Sequence, residues 1–130
     1  MSETVSETSG TYTAPDTTTI AARLVALCKA GENLRAIGEL YADDIVSWEK
    51  DEPMREVRGK PGVIGKLHWW EGAHEVHAAS VEGPYVNGDQ FAVRFRYDVT
   101  FKDTGRRFEM DEIAVYRVGG GRIVEERFHY

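Results

Sequence analysis

The most constraining feature of this sequence is an eleven-residue stretch in which large apolar side chains occupy every second position. The large residues are Phe91, Val93, Phe95, Tyr97, Val99 and Phe101. Successive side chains of a β-strand point to opposite faces, so this period of two predicts one long strand with an apolar and a polar face. The alternate residues, among them Arg94, Arg96 and Asp98, would then lie on the outer face.

Glycine-containing turns extend this prediction to the rest of the second half. Asn87-Gly88 favours a tight type I′ hairpin, because both central positions of that turn need positive φ. Thr104-Gly105 and Gly119 to Gly121 mark two further turns. The chain after about residue 75 is therefore predicted to form four strands in a meander.

The first half contains helical patterns and one short strand. Asp16 caps a first helix, Gly31 ends it, a second helix follows, and a third begins after Pro61. Their apolar positions fall at helical spacing: Ile20, Leu24, Leu27 and Cys28; Leu34, Ile37, Leu40 and Tyr41; Val63, Ile64, Leu67 and Trp70. Asp44 to Glu49 is predicted to be a strand, because it is short, β-branched and aromatic.

The resulting order is helix, helix, strand, helix and four strands. It predicts an α+β domain in which three helices cover one face of a curved antiparallel sheet. Residues 1 to 15 are rich in Ser, Thr and Glu without an apolar period, so we expect a disordered tail there and one domain over 16–130.

Composition excludes several classes of function. The net charge of −6 argues against a protein that binds nucleic acid through a basic surface. No apolar stretch approaches the roughly 20 residues of a membrane helix. The single cysteine, Cys28, allows no internal disulfide and no cysteine-based zinc site. With no leader-like pattern at the start, we expect a soluble, cytoplasmic protein.

Two short motifs complete the pattern. Tyr41-Ala-Asp-Asp44 follows the second helix, and Gly-Gly-Arg122-Ile-Val124 opens the last strand. With the element order, they make residues 17 to 130 resemble the nuclear transport factor 2-like superfamily, and within it the SnoaL-like domains. The resemblance implies a cone whose sheet curls around the helices and leaves an apolar pocket open at one end.

Ketosteroid isomerase shares that fold and uses a general-base Asp with a Tyr and a protonated Asp. The resemblance places the base position at Glu49, so a carboxylate is retained. The Tyr position corresponds to Leu24, and the second acid to Ala114 or, after a two-residue shift, Glu112. The same constellation is therefore not complete in this chain.

Strand alternation predicts which side chains face the pocket. The inward sets are Met110, Glu112, Ala114 and Tyr116 on one strand, and Glu126, Phe128 and Tyr130 on the last. A carboxyl group inside an apolar cone loses hydration, which raises its pKa toward the range of a general base or acid. Glu49, Glu112 and Glu126 are accordingly the candidate catalytic acids, with His77 as a further acid or base.

Large side chains supply the predicted ligand-binding wall. The candidates are Trp48, Leu67, Trp70, Phe95, Tyr97, Tyr116, Phe128 and Tyr130. Each candidate has a structural alternative: the aromatic rings as core, Glu49 as a solvated strand end, and Glu112 and Glu126 as cross-strand partners of Arg or Lys. His68, His74 and His77 lack the spacing of a zinc site, so we expect no metal ion.

Three functions are consistent with these residues. The first is an isomerase- or cyclase-type enzyme that moves a proton in a hydrophobic carbonyl compound, with no metal or organic cofactor. The second is a non-catalytic module that binds a hydrophobic small molecule, and the third is a protein-docking domain. Ile113 and Val115 would lie on the outer sheet face, so we also expect a homodimer formed through that face.

Overall fold

The computed structural model describes residues 15–130, so the predicted tail over residues 1 to 15 lies outside the described part except for its last residue. The elements follow the predicted order with one addition. They are α1 (Thr17–Lys29), α2 (Asn33–Leu40), β1 (Tyr41–Trp48), β2 (Glu56–Arg58), α3 (Lys60–Ala73), β3 (His74–Asn87), β4 (Gln90–Phe101), β5 (Arg106–Gly119) and β6 (Arg122–His129). The predicted α+β class is confirmed, and β2 is the strand that the sequence did not indicate.

The six strands form one sheet in the order β2-β1-β6-β5-β4-β3. Every neighbouring pair is antiparallel except β1 and β6, which run parallel. The sheet is therefore mixed, although the four-strand meander itself is antiparallel as predicted. The β1–β6 pairing brings the first strand of the chain beside the last, and this contact assembles most of the site described below.

The helices cover one face of the sheet, which we call the inner face. The Asp16 side chain accepts a hydrogen bond of 2.8 Å from the Thr19 N–H, which caps α1 as predicted. Tyr41 was assigned to α2 from its spacing but begins β1, and it is buried there. Leu34 was placed on the apolar stripe of α2, yet half of it is exposed.

Two of the predicted turns are two-residue hairpins. Gly120 and Gly121, at φ +60° and +78°, connect β5 to β6, as a type I′ turn requires. Asn87 pairs with Gln90, so the β3–β4 turn consists of Gly88 and Asp89, one residue later than predicted. The strand alternation is unaffected by this shift.

The apolar side of β4 contributes directly to the core. Phe91, Val93, Phe95 and Val99 are each at most 4% exposed. On the opposite, outer face, Arg94 forms a bidentate ion pair with Asp111, and Arg107 with Asp98. The two faces of the same strands therefore differ sharply in hydration. Within residues 15–130, no helix has both the length and the apolar character needed to cross a membrane.

Candidate functional site

A cavity of about 510 Å³ lies between the helices and the inner face of the sheet. That volume is within the range of small-molecule sites, about 300 to 1,000 Å³. Its walls are mainly apolar and aromatic, contributed by Leu24, Ile37, Val63, Leu67, Trp69, Trp70, Phe95, Tyr97, Met110 and Phe128. The acids of the wall are the three predicted glutamates, Glu49, Glu112 and Glu126, together with the exposed residues Asp51 and Glu52; Lys66 adds a positive charge.

Glu126 is the most deeply buried of the three acids, at 3% exposure. Its Oε1 accepts a short hydrogen bond from the Tyr41 hydroxyl, and its Oε2 accepts one of 2.7 Å from Ser47 Oγ. Burial raises the pKa of Glu126, while the Tyr41 hydrogen bond, the Lys66 charge and the Ser47 hydrogen bond act in the opposite direction. Both oxygens are therefore engaged by the protein itself.

Lys66 extends this network toward Glu49. Its Nζ lies 2.8 Å from Ser47 Oγ, to which it donates, and 2.6 Å from Glu49 Oε2. The Tyr130 hydroxyl donates to Glu49 Oε1 at 2.9 Å. The side chains of Lys66 and Glu49 are only 14% and 18% exposed, so this ion pair is largely shielded from water.

Glu112 differs from the other two acids because no side-chain partner neutralises it. Among residues 15–130, its carboxyl group takes part in no side-chain hydrogen bond or ion pair. It lies on β5 opposite Phe95, among apolar wall residues. Burial raises the pKa of Glu112 to about 7, and the charge of Glu49 adds to the effect while Lys66 opposes it. Near neutral pH this group can therefore both accept and release a proton.

The phenols and the thiol of the cavity wall hold their protons. Burial raises the pKa of Tyr41 and of Tyr116 well above the ordinary tyrosine value, and the charge of Glu126 contributes to both. Burial also raises the pKa of the Cys28 thiol to about 12. These hydroxyls and the thiol are thus hydrogen-bond donors or neutral packing groups near pH 7.

Ten of the predicted site residues line the cavity. They are Glu49, Glu112, Glu126, Leu67, Trp70, Phe95, Tyr97, Tyr116, Phe128 and Tyr130. Glu49 is neither a free strand end nor a solvated charge, because Lys66 and Tyr130 hold both of its oxygens. Glu126 is bonded to Tyr41 and Ser47 rather than to a cross-strand cation.

Two predicted residues do not reach the cavity. Trp48 follows Ser47 in β1, so strand alternation turns it away; its ring lies under Arg127 and its Nε1 donates to Glu125. His77 is exposed on β3, where its Nε2 lies 2.7 Å from Thr100 Oγ1. The structure therefore excludes both as wall residues in this arrangement.

His74 is the histidine that borders the cavity. It stacks on Trp70 at 4.6 Å between ring centroids, and its Nδ1 lies 2.9 Å from the Trp70 carbonyl oxygen. In the part of the chain that the structure describes, no three His, Cys, Asp or Glu side chains converge as a metal-binding group.

Sequence reasoning missed Lys66, Ser47 and Tyr41 as site residues. The signal for Lys66 was present, because it lies three residues after Val63 and four before Trp70, on the same helical stripe. Ser47 likewise alternates with Ile45 and Glu49 along β1 and its flanking residue. A polar residue at a position where the pattern predicts an apolar one, as at Lys66 and Ser47, indicates a buried partner for another polar group.

Comparison with known proteins identifies the class and then the family. An NTF2-like protein from Burkholderia thailandensis has the same cone-shaped α+β fold, with a TM-score of 0.75 and 20% identity over 88% of this chain and 90% of that one. The family model described as the SnoaL-like domain matches residues 16–130. The chain therefore belongs to the SnoaL-like domain family.

Two further solved structures are similar to this chain. One, from Mesorhizobium loti, is described as a candidate SnoaL-like polyketide cyclase, with carbohydrate phosphatase as a second designation; it is 52% identical, with a TM-score of 0.84 over 87% of this chain and 97% of that one. A Catenulispora acidiphila protein with a ketosteroid isomerase-like fold, in complex with trimethylamine, is 22% identical, with a TM-score of 0.65 over 91% of this chain and 87% of that one. Among curated proteins no match was found.

Proposed function

We propose that this protein is a small enzyme that moves a proton within a hydrophobic carbonyl compound, with Glu112 as the acid–base group. The observation that carries the proposal is the position of the Glu112 carboxyl, which faces an apolar cavity with no side-chain partner among residues 15–130. Its pKa of about 7 allows the group to act in both directions near neutral pH.

The chemistry can be written as one proton transfer in each direction. The Glu112 carboxylate takes a proton from the carbon beside the carbonyl group, and the C–H electron pair becomes the enolate, with negative charge on its oxygen. Glu112 then returns the proton to a different carbon. Alternatively, the enolate carbon attacks a second carbonyl group and closes a ring, and Glu112 gives its proton to the alkoxide oxygen that forms there. Either outcome leaves the enzyme unchanged and corresponds to an isomerase- or cyclase-type reaction.

Glu49 occupies the position that the family resemblance implies for the base, but its surroundings favour Glu112. Both oxygens of Glu49 are already engaged, one by Lys66 and one by Tyr130. Proton abstraction by Glu49 would have to break a shielded ion pair or a hydrogen bond. Glu112 requires neither, because no side chain among residues 15–130 forms a hydrogen bond or an ion pair with its carboxyl group.

The names of similar proteins support the same class of reaction. The Mesorhizobium loti protein carries the description of a polyketide cyclase, and a Rhodopseudomonas palustris structure, 15% identical with a TM-score of 0.64, is described as a candidate isomerase. Enolate formation beside a carbonyl group is common to isomerisation and to carbon–carbon cyclisation. The substrate class proposed here, a hydrophobic carbonyl compound, fits the apolar walls.

The test is hydrogen exchange in deuterated buffer. A panel of apolar ketones is incubated with the wild type and with Glu112→Gln, and loss of the protons beside the carbonyl is followed by NMR. We expect at least one ketone to exchange faster with the wild type and Glu112→Gln to lose about 100-fold or more of that rate. Glu109→Gln, an exposed change on the same strand, is the matched control.

A non-catalytic binding module is the second candidate, favoured by the largely apolar wall. It predicts that ketones bind without proton exchange and that Glu112→Gln binds them equally well. If exchange persists in Glu112→Gln but is lost in Glu49→Gln, then Glu49 and not Glu112 is the general base. No binding and no exchange with any ketone of the panel would contradict both candidates.

We also propose the homodimer through the outer sheet face. Ile113 on β5 is an apolar side chain on that face and is 45% exposed. Its neighbourhood is otherwise charged, as in the Arg94–Asp111 ion pair. A second sheet would remove this apolar surface from water. Sedimentation of the wild type as a dimer and of Ile113→Glu as a monomer is expected; a monomeric wild type contradicts the proposal.

A further inference from the structure

Lys66 is the positively charged side chain that the cavity wall presents, and its three N–H groups are only partly used. Ser47 Oγ accepts one of them at 2.8 Å, and Glu49 Oε2, at 2.6 Å, can accept a second. An ammonium group has three donors and no acceptor. Among residues 15–130, no third acceptor lies within bonding distance of Nζ, so one N–H is left for a ligand.

The surroundings of Nζ show where that donor is available. Nζ lies 4.6 Å from the centre of the Phe128 ring, which is itself part of the cavity wall. With only 14% of the side chain exposed, water gives it little competition. A hydrogen bond to a charged donor is stronger in such a setting than in water.

A purely structural role explains this arrangement poorly. An ion pair removed from water gains little over apolar residues of the same volume, because desolvation offsets the attraction. Lys60 on the same helix shows the ordinary alternative: its Nζ bonds the Gly38 carbonyl oxygen and lies 3.7 Å from Asp43, outside the cavity wall. Of the two lysines, Lys66 lines the cavity and Lys60 does not.

We infer that the Lys66 ammonium binds an oxygen of the ligand, and that the ligand carries a carbonyl or anionic oxygen at that point in the cavity. This inference rests on the proposed function and deepens it. As the carbon–hydrogen bond breaks, negative charge collects on the carbonyl oxygen, and a positive N–H donor already in place stabilises it. Lys66 is then a catalytic residue in the sense that it touches the reacting oxygen.

The neighbours of Lys66 act through it and are positioning residues. Ser47 accepts from Lys66 and donates to Glu126, whose other oxygen is held by Tyr41. Glu49, which accepts a hydrogen bond from Tyr130, also holds the ammonium through its ion pair. This network fixes Nζ before any ligand arrives, so little reorganisation is needed in the reaction.

The test uses a stable mimic of an enolate, because the natural substrate is unknown. The probe is the 4-cyanophenolate ion, and 4-methylbenzonitrile, which has a methyl group in place of the oxygen, is its matched partner. Titration calorimetry measures both with the wild type, Lys66→Met, Ser47→Ala and the control Lys60→Met. The ratio of the two affinities isolates the contribution of the oxygen.

We expect the wild type to prefer the phenolate over the nitrile, and Lys66→Met to lose at least about tenfold of phenolate affinity while nitrile affinity stays unchanged. Ser47→Ala should lose about threefold to tenfold, and Lys60→Met nothing. An unchanged affinity ratio in Lys66→Met overturns the inference. So does a wild type that binds the nitrile but not the phenolate, or that binds neither.

A second measurement on the wild type guards against a variant that does not fold. In protein labelled with ¹⁵N-lysine, the Lys66 Nζ resonance should shift on addition of the phenolate and not of the nitrile; an unmoved resonance overturns the inference. Failure of the proposed function is a different outcome. If Glu112→Gln loses the ketone exchange of the wild type while the Lys66 resonance does not move with the phenolate, Glu112 stands as the base and only the role of Lys66 is refuted. If the Lys66 resonance moves but the wild type exchanges no ketone, oxygen binding by Lys66 stands and the proposed function fails.

Discussion

Asp111 and Glu112 are neighbours on β5, yet the protein shifts their acidities in opposite directions. The Arg94 guanidinium donates two hydrogen bonds to Asp111 on the exposed outer face and holds the pKa of that carboxyl below its usual range. Burial raises the pKa of Glu112 to about 7 on the inner face. The difference arises because one residue along a strand reverses the face on which a side chain lies.

The comparison extends to the two faces as a whole. On the outer face, acids are solvated and paired with arginines, so their charges cost little. On the inner face, Glu126 is held by hydrogen bonds from Tyr41 and Ser47, and Glu49 by a hydrogen bond from Tyr130 and the ion pair with Lys66. The residue type is similar on both faces, and hydration decides what the acid can do.

The largest expected effect comes from removing a donor on the inner face. Tyr41→Phe deletes the hydroxyl that bonds Glu126 Oε1 and leaves a buried carboxylate with one partner fewer. We expect the free energy of unfolding at pH 7 to fall by about 2 kcal/mol, the cost of an unsatisfied buried group. Urea denaturation measures it, with Tyr85→Phe, at a 62% exposed position, as the control. Equal effects of the two changes would show that Tyr41 only fills space.

The next effect is a pH dependence produced by Glu112. Its pKa is about 7 in the folded protein and about 4.3 in the unfolded chain, so folding disfavours the charged form. Its destabilising effect is absent below about pH 4, grows as the pH rises, and levels off above about pH 7. Relative to the wild type, Glu112→Gln should therefore gain stability over that range. We expect a gain of about 2 kcal/mol, roughly half of what the full pKa difference corresponds to, because the Glu112 side chain is partly exposed and solvent screens its charge.

The control for this prediction is the neighbouring acid. The pKa of Asp111 is lowered in the folded protein, so its contribution is present above the unfolded pKa and is lost as the pH falls through the folded value. Asp111→Asn should thus be less stable than the wild type near neutral pH and equal to it in strong acid. Glu112→Gln and wild-type stability curves that run parallel from pH 4 to pH 8 would contradict the assigned burial of Glu112.

The smallest effect is expected from the outer ion pair. Arg94→Gln removes the two hydrogen bonds to Asp111, but both side chains are substantially exposed, and exposed pairs contribute little to stability. We expect the urea midpoint at pH 7 to fall only slightly, as in Asp111→Asn, while the pKa of Asp111, measured by NMR, rises toward its ordinary value. A clear drop in the urea midpoint would show that the ion pairs of the outer face contribute substantially to stability.

Local patterns were sufficient for most of the fold. The alternation from Phe91 to Phe101 and the glycine turns predict β4, β5 and β6 and the faces of their side chains, because strand geometry has a fixed period. The short strand β2 carries no comparable signal in its three residues. Tyr41 was placed on a helix because its spacing fits one, but the chain becomes extended where β1 pairs with β6.

Part of the candidate site could likewise be predicted from local patterns, and part could not. Alternation along β5 and β6 places Glu112, Tyr116, Glu126, Phe128 and Tyr130 on the inner face. It also shows that Trp48 should lie opposite to Ser47, although its large ring made it a candidate for the wall. No local pattern shows that the Lys66 ammonium meets Ser47 and Glu49, because these residues come from α3, from β1 and from the residue after β1.

Local patterns were enough to predict the α+β class, the long strands and the face on which each acid of β5 and β6 lies, since these depend on neighbours within one element. Which acids are held by hydrogen-bond donors, and which is not, depends on contacts between elements that are distant in the chain. The parallel contact of β1 with β6 places Ser47 and Tyr41 beside Glu126, and α3 sets Lys66 against Glu49. Glu112 lies beyond these donors, and that position in space gives it its distinct acidity.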